Sequence, residues 1–170
     1  MPATRQELFA RFAALGLATE TREHAPVFTV EEARALRGQI PGAHCKNLFL
    51  KDEKATVWLI VALEDALIDL KAMPRAIGSK RLTFGKPELL MEVLGLEPGS
   101  VTPFGLINDL GRRVNVILDA AMMREPLLNY HPLSNDATTS ISSEGLLAFI
   151  HSCGHHPRTV ALAAPGESPG

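Results

Sequence analysis

The residues best suited to chemistry lie between Gly38 and Leu50, in the sequence GQIPGAHCKNLFL. Turn-forming glycine and proline come first, a polar cluster ending in Lys46 and Asn47 follows, and an apolar run closes the stretch. This order predicts a loop-to-strand junction, where a rigid strand lets side chains face a cleft. An ammonium group beside an amide suits a phosphate or a polarised carbonyl, although a solvated lysine at a strand start would look the same.

Two other kinds of site have weaker support. Cys45 and His131 could form a nucleophile and its base, but no GxSxG elbow is present, and Cys45 could be a small half-buried hydrophobe. The sequence has no Walker loop and no GxGxxG, so we expect no cofactor. Potential metal ligands cluster near the C-terminus without a second cluster at zinc-site spacing, so we expect no metal. These ligands are His151, Cys153, His155 and His156.

The composition favours one domain. With 170 residues, of which 46% are hydrophobic and 21% charged, the chain can bury one core and is short for two. We expect a single domain over residues 1–164 and a flexible tail over 165–170. Two cysteines, with no apolar N-terminal segment and no long apolar span, indicate a soluble protein of the reducing cytoplasm, without disulfides or a membrane segment.

The charge is unevenly distributed along the chain. Residues 46–86 contain eight Lys and Arg against five Asp and Glu, which gives +3, and the remainder contains nine against fourteen, which gives -5. A basic face on an acidic body suits a partner that touches one side, such as the end of an RNA. A chance clustering of surface lysines would give the same pattern.

Two capping boxes predict helices in the first 40 residues. Thr4 to Glu7 and Thr29 to Glu32 both match the S/T-x-x-E pattern, and Gly16 and Gly38 are the stop signals. The segment between these helices, through His24, is predicted as a polar connection.

A β-hairpin is predicted next. Its charged turn runs from Lys51 to Lys54, and its second strand, Thr56 to Leu63, is a continuous apolar run typical of a strand buried on both faces. The following segment, Glu64 to Ile77, is predicted as a loop that passes into a short helix broken near Pro74.

The rest of the chain interleaves short strands and helices. Residues 97–105 contain several prolines and glycines and are predicted as a shaped loop without regular structure. Because strands and helices do not alternate regularly, we expect an α+β fold with a mixed, curved sheet. The strands predicted here are Leu82–Phe84, Val114–Leu118, a strand that ends with Leu127 to Pro132, Ala137–Ile141 and Thr159–Leu162.

Four separated motifs together resemble the bacterial YbaK and prolyl-tRNA-editing family. They are GAHCKNLFLKD, the basic segment PRAIGSKRLTFGKPELL, the GxxxP pattern from Gly99 to Pro103, and NYHPL around His131. The resemblance extends from about Thr4 to Leu162. Within the family, the chain is most similar to freestanding editing proteins of the ProX type.

The resemblance implies a mixed, partly barrel-like sheet flanked by short helices, and hydrolysis of mischarged Ala-tRNA(Pro) to alanine and free tRNA(Pro). It implies catalytic roles for Lys46, Asn47 and His131. The implied partner is tRNA(Pro) through its acceptor end, with transient contact to prolyl-tRNA synthetase or an elongation factor, and no DNA is expected. The substrate loop would be Gly99, Ser100, Val101, Thr102 and Pro103, and the tRNA contacts Lys51, Lys80 and Arg81.

Ester hydrolysis is compatible with these residue types. An aminoacyl ester is already activated, so its hydrolysis needs a positioned water and a stabilised oxyanion more than a strong nucleophile. We expect a hydroxyl of the terminal ribose to help activate the water. His131 is then either a wall and orienting donor, the role that we favour, or a general base.

Two alternatives stay open at this point. One is a Cys-tRNA(Pro) deacylase of the YbaK type, since the amino-acid pocket cannot be placed from the sequence. The other is a noncatalytic nucleic-acid-binding module on the same fold. The intact Lys46 and GxxxP loop argue against it, because a module that only binds does not need this combination.

Overall fold

The computed structural model describes residues 1–26 and 29–162, and it confirms the α+β class. The tail predicted for residues 165–170 lies outside these residues. The helices are α1 (Arg5–Ala14), α2 (Val30–Arg37), α3 (Met73–Ile77), α4 (Pro87–Leu94), α5 (Ala120–Met123) and α6 (Ser143–Ser152), with a 3-10 helix at Pro103–Asn108. The strands are β1 (Thr19–Glu23), β2 (Ala43–Asp52), β3 (Val57–Leu63), β4 (Leu82–Phe84), β5 (Val114–Asp119), β6 (Leu127–Tyr130), β7 (Ala137–Ser142) and β8 (Arg158–Val160).

The strands form one mixed sheet in the order β1-β7-β6-β2-β3-β5-β8, and β4 also pairs with β2. β2 runs antiparallel to β3 and β4 but parallel to β6. The sheet is mixed and flanked by short helices, as predicted. Since its end strands β1 and β8 do not pair with each other, it stays open and does not close into a barrel.

One edge of β2 changes partner along its length. β6 pairs with Ala43 and His44, and β4 pairs with residues 50–52. The opposite edge is held by β3 from Cys45 to Lys51 without interruption. The first edge therefore has a gap, and Lys46 and Asn47 lie in it.

β3 anchors the sheet because both of its faces are buried. Leu59 and Val61 pack into a large core that includes an aromatic cluster of α1, α6 and the 3-10 helix, while Trp58 and Ile60 pack into a smaller core under α3. The two cores explain why β3 is apolar at every position, as the continuous run predicted.

The helix starts were largely predictable. Both capping boxes form, with Thr4 bonded to the backbone N–H of Glu7 and Thr29 to that of Glu32. Pro74 lies in the first turn of α3, so it starts this helix and does not break it. Among the described residues, no helix is both long and apolar enough to cross a membrane.

Three other expectations were wrong. The polar connection after α1 contains β1, an edge strand paired with β7 whose sequence TETRE has no apolar alternation. The loop over 97–105 leads into a 3-10 helix at Pro103, where the hydroxyl oxygen of Thr102 accepts from the N–H of Phe104. Lys46 and Asn47 lie inside β2 and not at its start, because the strand already begins at Ala43.

The hairpin turn after β2 is organised by the carboxylate of Asp52, which is 7% exposed. One oxygen accepts from the backbone N–H groups of Lys54 and Thr56 at 2.9 and 3.1 Å. The other accepts from the indole N–H of Trp58 at 3.4 Å and from the backbone N–H of Lys80 at 3.3 Å. Asp52 thus joins the hairpin turn to the segment before β4.

We predict that Asp52→Ala lowers the free energy of unfolding by about 2–3 kcal/mol, since it leaves several donors without their acceptor. Chemical denaturation monitored by circular dichroism measures the effect. Glu53→Ala, at the exposed neighbouring position, is the matched control and should change the value by less than about 0.5 kcal/mol. Equal effects of the two substitutions would contradict the role given to Asp52.

Candidate functional site

A cavity of about 130 Å³ opens beside the gap in the edge of β2, on the side of β6. It brings together two of the three predicted catalytic residues, Asn47 and His131. Because the strands on both sides belong to the sheet, the walls are held by backbone pairing. The cavity is lined by Leu36, Arg37, His44, Cys45, Asn47, Glu64, Asn129, Tyr130, His131 and Thr138.

Lys46 does not line this cavity. Successive side chains of a strand point to opposite faces, and Leu48 packs with the smaller core whereas Cys45 packs with the larger one. Lys46 therefore projects on the face of the smaller core, opposite to Asn47. Its ammonium group donates a hydrogen bond to the backbone carbonyl of Ala66, in the loop after β3.

The backbone of Asn47 faces the gap. Glu64 N–H donates to the carbonyl of His44 at 2.9 Å, so the even-numbered residues of β2 direct their backbone groups toward β3. Gly85 N–H donates to the carbonyl of Phe49 at 3.0 Å, so the odd-numbered residues face the other edge. At Asn47, none of the described strands pairs with this second edge. Its N–H and C=O groups are thus available to a ligand.

The side chain of Asn47 also has unused hydrogen-bonding capacity. Its Oδ1 atom is buried and has no hydrogen-bond partner among the described residues. A buried polar atom without a partner costs stability, of the order of 1–3 kcal/mol. Such an atom on a cavity wall marks a position where a bound group would complete the hydrogen bonding.

The predicted GxxxP loop meets the site at Asn47. Gly99 and Val101 line a second cavity of about 210 Å³, and Asn47 lines both cavities. Ser100, Thr102 and Pro103 are buried under the loop. Two of the five predicted loop residues therefore face the site, and the other three support the loop from below.

The hydrogen bonding of His131 fixes its tautomer. Its Nδ1 atom lies 3.0 Å from the carbonyl oxygen of Ala137, and a carbonyl can only accept, so Nδ1 carries the proton. Burial lowers the pKa of His131, and the hydrogen bond to Ala137 raises it by a smaller amount. The net shift is downward, so the ring is neutral at pH 7. Nε2 is then an unprotonated acceptor without a partner among the described residues. The role of orienting donor would require the imidazolium form.

Cys45 is not prepared for nucleophilic attack. Burial raises the pKa of its thiol to about 11, so the thiol is protonated at physiological pH. A nucleophilic cysteine needs the thiolate. We therefore treat Cys45 as part of the cavity wall.

The three predicted tRNA contacts lie toward the other end of β2. Lys51 is opposite Thr83 of β4 and four residues from Asn47, roughly 13 Å along the strand. Lys80 and Arg81 are exposed in the segment before β4, which Asp52 holds against the hairpin turn. The structure thus places these three cations on neighbouring segments, on one side of the site.

The C-terminal histidine cluster does not converge. His155 is buried and its Nε2 atom lies 2.8 Å from Asp109 Oδ2, while the rings of His151 and His156 are 6.0 Å apart. Within residues 1–26 and 29–162, no three His, Cys, Asp or Glu side chains are grouped as metal ligands.

Sequence reasoning missed several cavity residues. Arg37 and Glu64, 27 positions apart, form an ion pair of 2.8 Å at the cavity, and nothing local in the sequence links them. Asn129 was part of the motif NYHPL but had no role assigned. Thr138 lies in β7, a strand that was correctly predicted from its threonine and serine content. The alternation of strand residues could have placed Thr138 on the same face of this strand as Ser140.

Known proteins resemble the chain over most of its length. The aminoacyl-tRNA editing domain model matches residues 24–149. The prolyl-tRNA editing protein ProX of Acetoanaerobium sticklandii is 33% identical over 159 residues, covering 93% of this chain and 97% of ProX. The mouse prolyl-tRNA synthetase associated domain-containing protein 1 is 38% identical over 158 residues, covering 90% and 93% of the two chains.

A solved structure shares the fold. It was proposed to be a trans-editing enzyme for prolyl tRNA synthetase, and it superimposes with a TM-score of 0.69 at 21% identity. The match covers 92% of this chain and 96% of the solved one.

We predict that His131 titrates below its ordinary pKa of about 6.5 and carries its proton on Nδ1 when neutral. Long-range ¹H–¹⁵N correlation spectra of the histidine-labelled protein between pH 4.5 and 8 measure both properties. His131→Gln assigns the signal by its loss, and exposed His151 is the internal reference. An Nε2–H tautomer, or a pKa at or above that of free histidine, would contradict the assignment.

Proposed function

The chain belongs to the aminoacyl-tRNA editing domain family, and we propose that it hydrolyses mischarged Ala-tRNA(Pro) to alanine and free tRNA(Pro). The observation that carries this proposal is the gap in the edge of β2, where the free backbone of Asn47 and the unprotonated Nε2 of His131 meet at one small cavity. The names of the ProX protein and of the mouse relative support proline tRNA as the nucleic acid.

The cavity contains the groups that ester hydrolysis needs. Water attacks the carbonyl carbon, and the backbone N–H of Asn47 donates to the oxygen as its negative charge develops. His131 Nε2 accepts a hydrogen bond from the attacking water, and a hydroxyl of the terminal ribose assists. The bond to the ribose oxygen then breaks, and that oxygen takes up a proton. No covalent intermediate is required, in agreement with the protonated thiol of Cys45.

Lys46 acts on the nucleic acid in this proposal. Its ammonium group exchanges the carbonyl of Ala66 for a phosphate near the acceptor end. A charge-assisted bond to a phosphate is stronger than one to a neutral carbonyl, so the exchange is favourable. Lys51, Lys80 and Arg81 contact phosphates further along, and a synthetase or an elongation factor makes at most a transient contact.

Size gives the selectivity for alanine. A cavity of about 130 Å³ is well below the roughly 300–1,000 Å³ of sites for drug-sized ligands. A synthetase pocket built for proline rejects smaller alanine weakly, because each missing methylene is worth only about 1–3 kcal/mol. The cavity of this protein is smaller than the synthetase pocket, so it excludes proline by its size and completes the discrimination.

We predict that the protein deacylates Ala-tRNA(Pro) faster than Cys-tRNA(Pro) and leaves Pro-tRNA(Pro) intact. Lys46→Ala should reduce the rate on Ala-tRNA(Pro) at least about a hundredfold, because it removes the phosphate contact that positions the acceptor end at the cavity. Time courses with radiolabelled amino acids measure the rates.

Lys54→Ala, in the exposed turn between β2 and β3, is the matched control and should keep the wild-type rate. A faster reaction with Cys-tRNA(Pro) would identify a deacylase of the YbaK type. Binding of tRNA without hydrolysis of any ester would reject the enzyme and leave a binding module.

We also predict that Lys51→Ala, Lys80→Ala and Arg81→Ala each weaken tRNA binding. Each should lower the slope of log K against log salt concentration by about one, because one phosphate contact is lost. Filter binding of uncharged tRNA(Pro) at several salt concentrations tests this. Arg124→Ala, an exposed cation outside the basic segment 46–86, should leave the slope unchanged, and an equal change there would show that the contacts are not local.

A further inference from the structure

The hydroxyl of Thr138 on the cavity wall has a defined direction. Its Oγ1 atom lies 2.8 Å from Nε2 of His24, and Nδ1 of His24 lies 2.8 Å from the carbonyl oxygen of Ala25. Because the carbonyl can only accept, Nδ1 carries a proton, and Nε2 accepts whenever it carries none. In that form of the ring the hydroxyl of Thr138 donates to His24, and the lone pairs of Oγ1 remain for the cavity.

The side-chain donors of Asn129 and Tyr130 on the cavity wall are directed into the protein. Both N–H groups of the Asn129 side chain are used, since Nδ2 donates to the carbonyls of Pro41 and Ala43 at 3.0 and 3.2 Å. The hydroxyl of Tyr130 donates to the sulfur of Met122 at 3.3 Å.

The same wall presents several acceptors. Asn47 Oδ1 has no partner among the described residues, Nε2 of His131 is unprotonated, and Thr138 presents lone pairs. The carboxylate of Glu64 also lines the cavity but is ion-paired with Arg37 at 2.8 Å, so this pair adds no net charge. Acceptors grouped in this way are complementary to a group that has several N–H donors.

We propose that Thr138 receives the α-ammonium group of the aminoacyl ester, and that His24 is the positioning residue that keeps its hydroxyl turned away from the cavity. The proposal rests on the proposed deacylase function. An α-ammonium group has three N–H donors and one positive charge, which matches these acceptors, whereas an ester without the amino group leaves them unpaired. Recognition of the amino group is then separate from recognition of the side chain by size.

The test compares alanyl-tRNA(Pro) with propionyl-tRNA(Pro), which has hydrogen in place of the ammonium group. Each kcat/KM is divided by the uncatalysed rate of the same ester, because the ammonium group itself activates the bond. The wild-type protein should prefer the alanyl ester at least about tenfold, the lower range for a hydrogen bond to a charged group.

Thr138→Val keeps the shape of the side chain and removes the acceptor. It should lower kcat/KM on the alanyl ester at least about tenfold and on the propionyl ester by no more than about twofold. Thr138→Ser keeps the hydroxyl and should retain most of the preference. His24→Phe keeps a ring beside His131 but frees the hydroxyl, so it should reduce the preference several-fold. Thr83→Val, at an exposed position on β4, is the matched control and should change neither rate.

The outcomes separate the two proposals. Equal losses on both esters in Thr138→Val and His24→Phe would show a structural role only and overturn the ammonium site. A wild-type protein that hydrolyses both esters without preference would also overturn it, while the deacylase function would stand. A wild-type protein that hydrolyses neither ester would overturn both. If Thr138→Val does not fold, as judged by circular dichroism, His24→Phe and Thr138→Ser decide.

Discussion

The structure of the site depends on a gap in backbone pairing along one edge of β2. β6 pairs with this edge only as far as His44, and β4 pairs only from Leu50 onward. A strand with an open edge in mid-sheet would normally be a liability, because its N–H and C=O groups lack partners. Here β3 holds the other edge from Cys45 to Lys51, and both faces of β3 are buried, so the gap is rigid.

Unused hydrogen-bonding capacity accumulates at this gap. Oδ1 of Asn47 and Nε2 of His131 have no partners among the described residues, although neighbouring polar groups such as Asn129 are fully bonded. The difference is informative because leaving such groups unpaired costs free energy that a ligand can recover. Preorganised groups of this kind stabilise a transition state without reorganising during the reaction.

The sequence predicted those parts of the fold that local interactions determine. The capping boxes at Thr4 and Thr29 and the apolar run of β3 have strong local signals. β1 has none, since its stability comes from pairing with β7, more than 110 residues later. The motifs singled out Lys46, Asn47 and His131 as candidates, and Asn47 and His131 line the cavity. The tautomer of His131, however, depends on Ala137, and the ion pair at the cavity depends on Arg37 and Glu64. Tertiary contacts decide such properties, and they leave no periodic pattern.

The same gap gives a physical reason why two residues that are adjacent in the sequence, Lys46 and Asn47, could contact one ligand. Strand geometry places neighbouring side chains on opposite faces of a sheet, so in a fully paired strand one ligand could not contact both. Lys46 lies on the face of the smaller core and bonds to Ala66, whereas Asn47 faces the cavity with His131. Because no strand of the described residues covers the edge between them, the proposed substrate could cross the gap with a phosphate near Lys46 and its ester near Asn47. In the proposed function, the open edge thus joins two opposite faces in one binding path.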